Sequence, residues 1–444
     1  MKKSVLKIVM LLATAVAGTP LAARAESGDV TVSAQDFVGL LVKADFGGAV
    51  ARFDATMKQA LPEAKLREVW EGVQAQAGPF KEQVKTRAEK VTGYDVVLVT
   101  CQFERATLDT KVVFNTNRQV AGLFFAPTAP ASFPPPPYAR SEAFREKEFS
   151  VGKGEWVLPG TLAVPASGGP WPAVVLVHGS GPQDRDETVG ANKPFRDLAW
   201  GLAARGVAVL RYEKRTKQYG AKLAAAVLEI TLQEETVDDA LDAAARLRAT
   251  EGIDARRVFV LGHSLGGIAI PRIGKADPEI AGLIVLAGAT RPLVDLVLDQ
   301  VDYLASLDSS KNTNVMAKLE ELRAEALKIK QLTAADVSST NLLMGGSARY
   351  WLDLRDHDVA AMARALKQPI LILQGGRDYQ VTQADFDGWK KALGDSPNAT
   401  LKLYPKLNHL FVAGEGRSSP SEYAESGHVA ETVVADIAAW VLAR

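Results

Sequence analysis

The stretch Arg257-Val258-Phe259-Val260-Leu261-Gly262-His263-Ser264-Leu265-Gly266-Gly267 decides how this 444-residue chain is read. Its first part has the branched, apolar character of a buried strand. The Gly-x-Ser-x-Gly pattern that follows leads into a second apolar segment, so a strand turns sharply into a helix with a serine at the tip. Gly262 and Gly266 leave room where side chains would collide, and Ser264 can then present an exposed hydroxyl. Chance alone supplies the pattern on the order of 0.1 times in a chain this long, so its meaning rests on its surroundings.

Working outward, Ala173-Val174-Val175-Leu176-Val177 and the runs at residues 207–212, 282–288, 369–373 and 400–404 are further short apolar segments. They alternate with helical patterns at residues 195–205 and 232–249. This alternation implies an α/β fold, a mostly parallel sheet with helices on both faces. The interval between Gly288 and Pro369, about 80 residues long, is too long for a loop and reads as an insertion with its own structure. Helical patterns at residues 293–304, 318–331 and 349–366 fill it. An insertion at about residues 291–367 suits a lid over a site; a packing helix pair with no substrate role is the other reading.

A serine hydroxyl needs a base within hydrogen-bond reach. Of the five histidines, His409 follows the last strand directly, where a loop returns over the Ser264 turn, and it is the candidate. His263 should point away from the hydroxyl, His357 sits in the insertion, and His428 reads as a surface residue near the final helix. The base needs an anion to fix its tautomer. Asp378 ends Leu373-Gln374-Gly375-Gly376-Arg377-Asp378 directly after a strand; Asp385 and Asp387, on the next helix, are weaker candidates. Ser264, Asp378 and His409 then stand in the chain order nucleophile, acid, base. Two backbone amides should complete an oxyanion hole, those of Leu265 and of Ser180 in His178-Gly179-Ser180-Gly181-Pro182, with Gly181 as the fallback. Met344, Tyr350 and Trp351 suggest an apolar lining contributed by the insertion, although such spacing equally describes core.

Together these segments resemble the α/β-hydrolase family of serine esterases over roughly residues 144–444. Within that family, Gly181-Pro182-Gln183-Asp184-Arg185-Asp186-Glu187 and Leu210-Arg211-Tyr212-Glu213-Lys214-Arg215 look like exported bacterial esterases related to dienelactone hydrolases. A dienelactone hydrolase proper has a cysteine nucleophile; the serine here moves the expectation to carboxylic esters. The charged loop Asp184-Arg185-Asp186 either shapes a pocket mouth or makes salt bridges. The expected reaction is acyl transfer to water through a Ser264–His409–Asp378 triad, with a rate that rises with pH as the base loses its proton near neutrality. An exported serine peptidase on the same fold is the nearest rival, and a binding protein on a catalytically dead scaffold is the next.

The first 25 residues read as a signal peptide. Lys2, Lys3 and Lys7 precede a short apolar core, and Ala23-Arg24-Ala25 forms a cleavage site, giving a periplasmic or secreted protein that begins near Glu26. Residues 26–126 carry helical spacing at Phe46, Val50, Phe53, Met57 and Leu61, a capping-box pair at Ser33 and Asp36, and strands at 95–106, 108–114 and 120–125. They form a small α+β domain, similar in outline to the cystatin or nuclear-transport-factor type. Residues 127–140, with Pro134-Pro135-Pro136-Pro137, read as a stiff linker, and residues 141–444 as the catalytic domain.

The chain carries 52 basic and 52 acidic residues, and losing the signal leaves about −4, so nothing draws nucleic acid. A single cysteine, Cys101, forms no internal disulfide and reads as core. No stretch of the mature chain is long and apolar enough to span a membrane. Metal-binding spacings such as His-Glu-x-x-His and Cys-x-x-Cys are absent, and the expected enzyme uses no cofactor. Gly267 to Lys275 lacks the glycine spacing of a phosphate-binding loop. The expected partner is a small-molecule ester, and composition fixes no oligomeric state.

Overall fold

Strands with apolar residues at every position must be buried on both faces, and this requirement organises the larger part of the molecule. The computed structural model describes residues 27–91, 93–128, 133–307 and 313–444. The expected signal segment and residues 129–132 of the expected linker lie outside the described residues. The chain divides into two compact units, at Ser132/Phe133.

In the first unit, helices precede a four-stranded antiparallel sheet of β1 (Phe80–Val91), β2 (Tyr94–Phe103), β3 (Thr107–Phe114) and β4 (Val120–Pro127), in that spatial order. Two expectations fail here. The spacing of Phe46, Phe53, Met57 and Leu61 does bury all four side chains, but no single helix carries them: Phe46 lies in the helix Phe46–Ala51 and Met57 in the helix Ala55–Ala60, while Phe53 bridges Val120 between the two and Leu61 ends the second. Asp54 breaks the run because its carboxylate caps the second helix at the Met57 amide. Ser33 and Asp36 form no cap, since the helix Ser27–Val42 already contains them. Cys101 is buried as a free thiol, and burial raises its pKa.

The second unit is built on eight strands: β5 (Phe144–Val151), β6 (Leu158–Pro165), β7 (Trp171–Val177), β8 (Ala208–Tyr212), β9 (Ile253–His263), β10 (Gly282–Leu286), β11 (Ile370–Gly375) and β12 (Ala399–Tyr404). Their spatial order is β12-β11-β10-β9-β7-β8-β6-β5. The run from β12 to β8 is parallel, and β6 and β5 add antiparallel at one edge. Side chains alternate strictly between two cores. Val175, Val260, Val285 and Ile372 enter one; Val174, Phe259, Ile284 and Leu371 enter the other. The helices Pro194–Ala203 and Glu431–Leu442 cover the second core, while Asp238–Arg248, Leu265–Ala276 and Gln383–Leu393 cover the first.

The chain runs from β7 to β8 on one side, then crosses to β9 on the other. Strand order thus reverses beside β7, which opens a crevice at the carboxyl ends of β7 and β9, the usual place for a ligand in such sheets. Val177 pairs with Gly262 in register, so the loop leaving β7 and the turn leaving β9 begin side by side. Among the described residues, the insertion holds four α-helices, Leu293–Leu307, Thr313–Gln331, Ala348–Arg355 and Val359–Arg364. Its later part is fastened to the helix Leu265–Ala276. Arg272 grips both oxygens of Asp353 at 2.9 Å, and His357 Nε2 donates to the Ile268 carbonyl at 2.8 Å. The described end of the proline-rich segment packs onto this unit, where Arg196 binds the carbonyls of Phe133 and Pro134.

At Gly266 an added Cβ would stand 2.2 Å from the Val177 carbonyl oxygen, backbone against backbone, with no flexible group to yield. Gly266→Ala should therefore destabilise the folded protein by about 2 kcal/mol or more. Urea unfolding followed by circular dichroism measures this.

Candidate active site

Ser264 sits between β9 and the helix Leu265–Ala276 with φ +55° and ψ −116°. A non-glycine residue in this region is strained, and such strain is typical of a side chain held out at a tight turn. The Ser264 amide donates to Leu286 O at 3.0 Å, which pins the turn to β10. Leu265 opens the helix, so its N–H has no carbonyl within the helix to bond, and the positive end of the helix dipole faces the serine.

Two loops at the far side converge by close backbone approach. A Cβ at Gly375 would lie 2.6 Å from the carbonyl oxygens of Leu407 and Asn408, so the loops after β11 and β12 touch there. This brings Asp378 to His409: Asp378 Oδ2 accepts from His409 Nδ1 at 2.7 Å, and both side chains are buried. The other oxygen of Asp378 accepts from the amides of Gln380 and Val381 at 2.8 and 3.0 Å. With Nδ1 donating to a carboxylate, neutral His409 keeps its lone pair on Nε2. Asn408 shapes the loop, its Oδ1 accepting from the amides of Leu410 and Val412.

The His178-Gly179-Ser180-Gly181 loop passes over the serine: a Cβ at Gly179 would be 3.1 Å from Ser264 Cβ. Among the described residues the Ser180 N–H has no hydrogen-bond partner. His178 is buried, and its Nε2 donates to the Asp184 carbonyl at 3.0 Å. Burial pulls its pKa down to about 4, against attraction from Glu187.

His263 behaves differently. Its Nε2 donates to the His409 carbonyl at 3.0 Å, and its ring lies 4.7 Å from the ring of His409. Its Nδ1 faces Glu187 Oε2 at 2.9 Å, without the alignment of a hydrogen bond, so the attraction is coulombic. Burial depresses the His263 pKa most strongly, but the Glu187 carboxylate, the His409 carbonyl and the Asp378 charge together outweigh it, and the net shift is upward. For Glu187, burial is likewise outweighed only by several partners together, His263, His178 and the Gly179 amide, and its pKa falls.

The remaining sequence candidates scatter. Asp385 is buried against Arg291 and the amides of Thr290 and Arg291, and Asp387 pairs with Lys390 on the surface. His428 is half-buried, its Nδ1 meeting the buried Asp197 at 3.1 Å. Asp184 folds its own loop through the Asp186 and Thr188 amides, while Arg185 pairs with Glu213 and Asp186 with Lys193 and Arg211. Trp351 is core, its Nε1 donating to the Leu343 carbonyl. Met344 and Tyr350 pack partly buried against that core. Glu187, Lys214 and Glu235 are buried charges around the loop over Ser264 that sequence reasoning did not single out. Two of them lie in the charged runs after β7 and β8, where nothing in the pattern says which charge turns inward. Among the described residues, no group of three or more His, Cys, Asp or Glu side chains is placed to hold a metal ion, and no helix is long and apolar enough to cross a membrane.

Residues 170–415 match a family described as serine aminopeptidase, S33. A curated relative, esterase EstD of Thermotoga maritima, is 37% identical over 407 residues, covering 91% of this chain and 94% of its own. The chain belongs to the α/β-hydrolase family. Residues 34–123 match a family described as a protein of unknown function. Among solved structures, a putative dienelactone hydrolase from Klebsiella pneumoniae is 19% identical with a TM-score of 0.39, over 68% of this chain and 100% of its own. Proline iminopeptidase from Mycobacterium smegmatis is 16% identical with a TM-score of 0.45, over 67% and 98%.

His178 titrates in the folded α/β-hydrolase unit near pH 4 instead of its ordinary 6.5. Between those values the unfolded chain binds the proton and the folded one does not, so stability rises with pH across the window and is lost as pH falls through it. His178→Asn should flatten this dependence, by up to about 3 kcal/mol between pH 7 and 4. Urea midpoints at a series of pH values check it.

Proposed function

We propose that this α/β-hydrolase cleaves carboxylic esters by acyl transfer from Ser264 to water. The observation that carries the reading is the buried Asp378–His409 hydrogen bond of 2.7 Å, in a loop whose backbone meets the histidine next to Ser264. Ser264 Oγ attacks the ester carbonyl carbon as His409 Nε2 takes its proton. The C–O bond to the alcohol then breaks, and that proton passes to the departing oxygen. Water, deprotonated by the same nitrogen, attacks the acyl-enzyme, and the acid leaves as Ser264 recovers its proton. The amides of Leu265 and Ser180 hold the tetrahedral oxyanion. The insertion covers the site, with Gly181, Met344 and Tyr350 toward the substrate. Export to the periplasm or medium, with a mature chain starting near Glu26, belongs to the same proposal.

The family description favours a second reading, an aminopeptidase. Such an enzyme needs a carboxylate for the substrate's ammonium group. Around the Ser264 turn Asp186, Glu187 and Glu235 are already paired with Lys193, His263 and Lys214, which favours esters.

On p-nitrophenyl esters, Ser264→Ala should abolish turnover and Asp378→Asn should lower kcat by about 10⁴-fold. Parallel assays with aminoacyl-nitroanilides decide between the readings: turnover of anilides alone defeats the esterase assignment, and a fully active Ser264→Ala defeats the mechanism.

A further inference from the structure

Lys214 follows β8 directly, and its side chain is buried, 2% exposed for the residue. Its ammonium has two partners. Nζ donates to the Gly179 carbonyl at 2.8 Å and to Glu235 Oε1 at 2.6 Å. The other oxygen of Glu235 accepts from the Tyr350 hydroxyl at 2.7 Å. Glu235 lies on a π-helical turn, Gln233–Val237, a local irregularity frequent at functional sites. Tyr350 comes from the insertion helix Ala348–Arg355. A continuous chain therefore runs from the partly buried Tyr350 of the insertion, through a buried carboxylate and ammonium, to the loop over Ser264.

The atom at its end is what matters. The Gly179 carbonyl and the Ser180 N–H belong to one planar trans peptide and point in opposite directions. A cation on that oxygen fixes the plane, so it also fixes where the N–H points. It draws electron density from the nitrogen across the conjugated bond, and the N–H becomes a stronger donor. The neighbouring carbonyls receive no such charge. Ser180 O is held by Gln183 Nε2 at 3.0 Å and Gly181 O by Thr216 Oγ1 at 3.1 Å, both neutral groups in exposed contacts. On its other flank the Gly179 N–H donates to Glu187 at 2.6 Å. Gly179 is thus clamped by opposite charges, with the ammonium on the peptide that carries the Ser180 N–H. Replacing a buried ion pair by apolar groups is often neutral for stability or better, so stability alone gives no reason for a lysine here.

We propose that Lys214 is a positioning residue of the oxyanion site, orienting and polarising the Gly179–Ser180 peptide, and that Tyr350 and Glu235 tie this device to the insertion. The inference rests on the proposal above that Ser264 is acylated and that the Ser180 N–H binds the oxyanion.

The test uses the full chain, acylated by a slowly deacylating aryl-acryloyl ester whose carbonyl is ¹³C-labelled. Infrared difference spectra read the acyl-enzyme carbonyl stretch, which falls as hydrogen bonds to that oxygen strengthen, and steady-state kinetics are measured alongside. Lys214→Met should raise the carbonyl frequency and lower kcat by about 10-fold or more with KM little changed, a fraction of the effect of deleting an oxyanion donor. Tyr350→Phe should shift both readouts the same way, by less. An acylated Lys214→Met enzyme with the wild-type band and kcat overturns the role of Lys214 while leaving the esterase reading intact. A change in KM alone, with the band unmoved, overturns it too. If wild-type enzyme gives no acyl band, or Ser264→Ala still gives one, the underlying reading fails first. Should Lys214→Met not fold, as judged by circular dichroism, Tyr350→Phe decides: a raised frequency supports the proposal and an unmoved band overturns it.

Discussion

The chemistry of this molecule depends on backbone packed against backbone where β7 and β9 end. Val177 pairs with Gly262, and the residue four places later, Gly266, sits so close to the Val177 carbonyl that only a hydrogen fits. That contact forces the turn at Ser264 into its left-handed conformation and lays the His178-Gly179-Ser180 loop across it. A second contact of the same kind, Gly375 against the carbonyls of Leu407 and Asn408, brings Asp378 and His409 together. Both contacts come at the carboxyl ends of parallel strands. The sheet thereby acts as a rigid frame, and short loops need to fix very few dihedral angles to assemble the site.

Around that frame the protein buries charge in pairs. Lys214 and Glu235 lie behind the loop over the serine, Arg215 and Asp239 beyond. Each pair forgoes hydration, and its net contribution to stability is small or unfavourable against an apolar replacement. Fixed charges do offer precision of placement near a reacting centre, because they do not reorganise as charge develops. The contrast with the surface is instructive. Asp184, Arg185 and Asp186 fold and staple their own loop, with Glu213 at the rim and the buried Arg211 of β8 as partners, and the salt bridges are the better account of that segment.

The central strands and the order Ser264, Asp378, His409 were legible because apolar runs and glycine turns report directly on a doubly covered parallel sheet. Two of the four edge strands were not. β1 and β5 are mostly exposed and rich in Lys, Arg and Glu, as edges are when they resist pairing with other chains, so neither shows apolar alternation. The helix spacing through Phe53 and Met57 identified the right buried face and the wrong element, because an aspartate that caps a helix also ends the preceding one. The buried charges were the least legible of all. Glu213 and Lys214 are adjacent and equally polar in sequence; only the path of the chain after β8 sends one to the rim and the other inside.

The insertion shows how the same pairing of buried charge limits movement. Swinging the helix Ala348–Arg355 away would break the Tyr350–Glu235 bond and the two-pronged Arg272–Asp353 contact. It would also leave Glu235 and Lys214 in the interior with one donor fewer, a heavy penalty in a region poorly supplied with water. The helix Thr313–Gln331 is tied differently. Its ion pairs to the preceding helix, Arg323 with Asp302 and Lys330 with Asp295, are largely exposed, and such pairs contribute about 0–1 kcal/mol each. Against these it sets the burial of Ala326 and Ile329. Displacing this outer helix therefore disturbs surface contacts and a modest apolar face, whereas displacing the inner one disturbs the charge network behind Ser264. The inner helix is thus held far more firmly than the outer one.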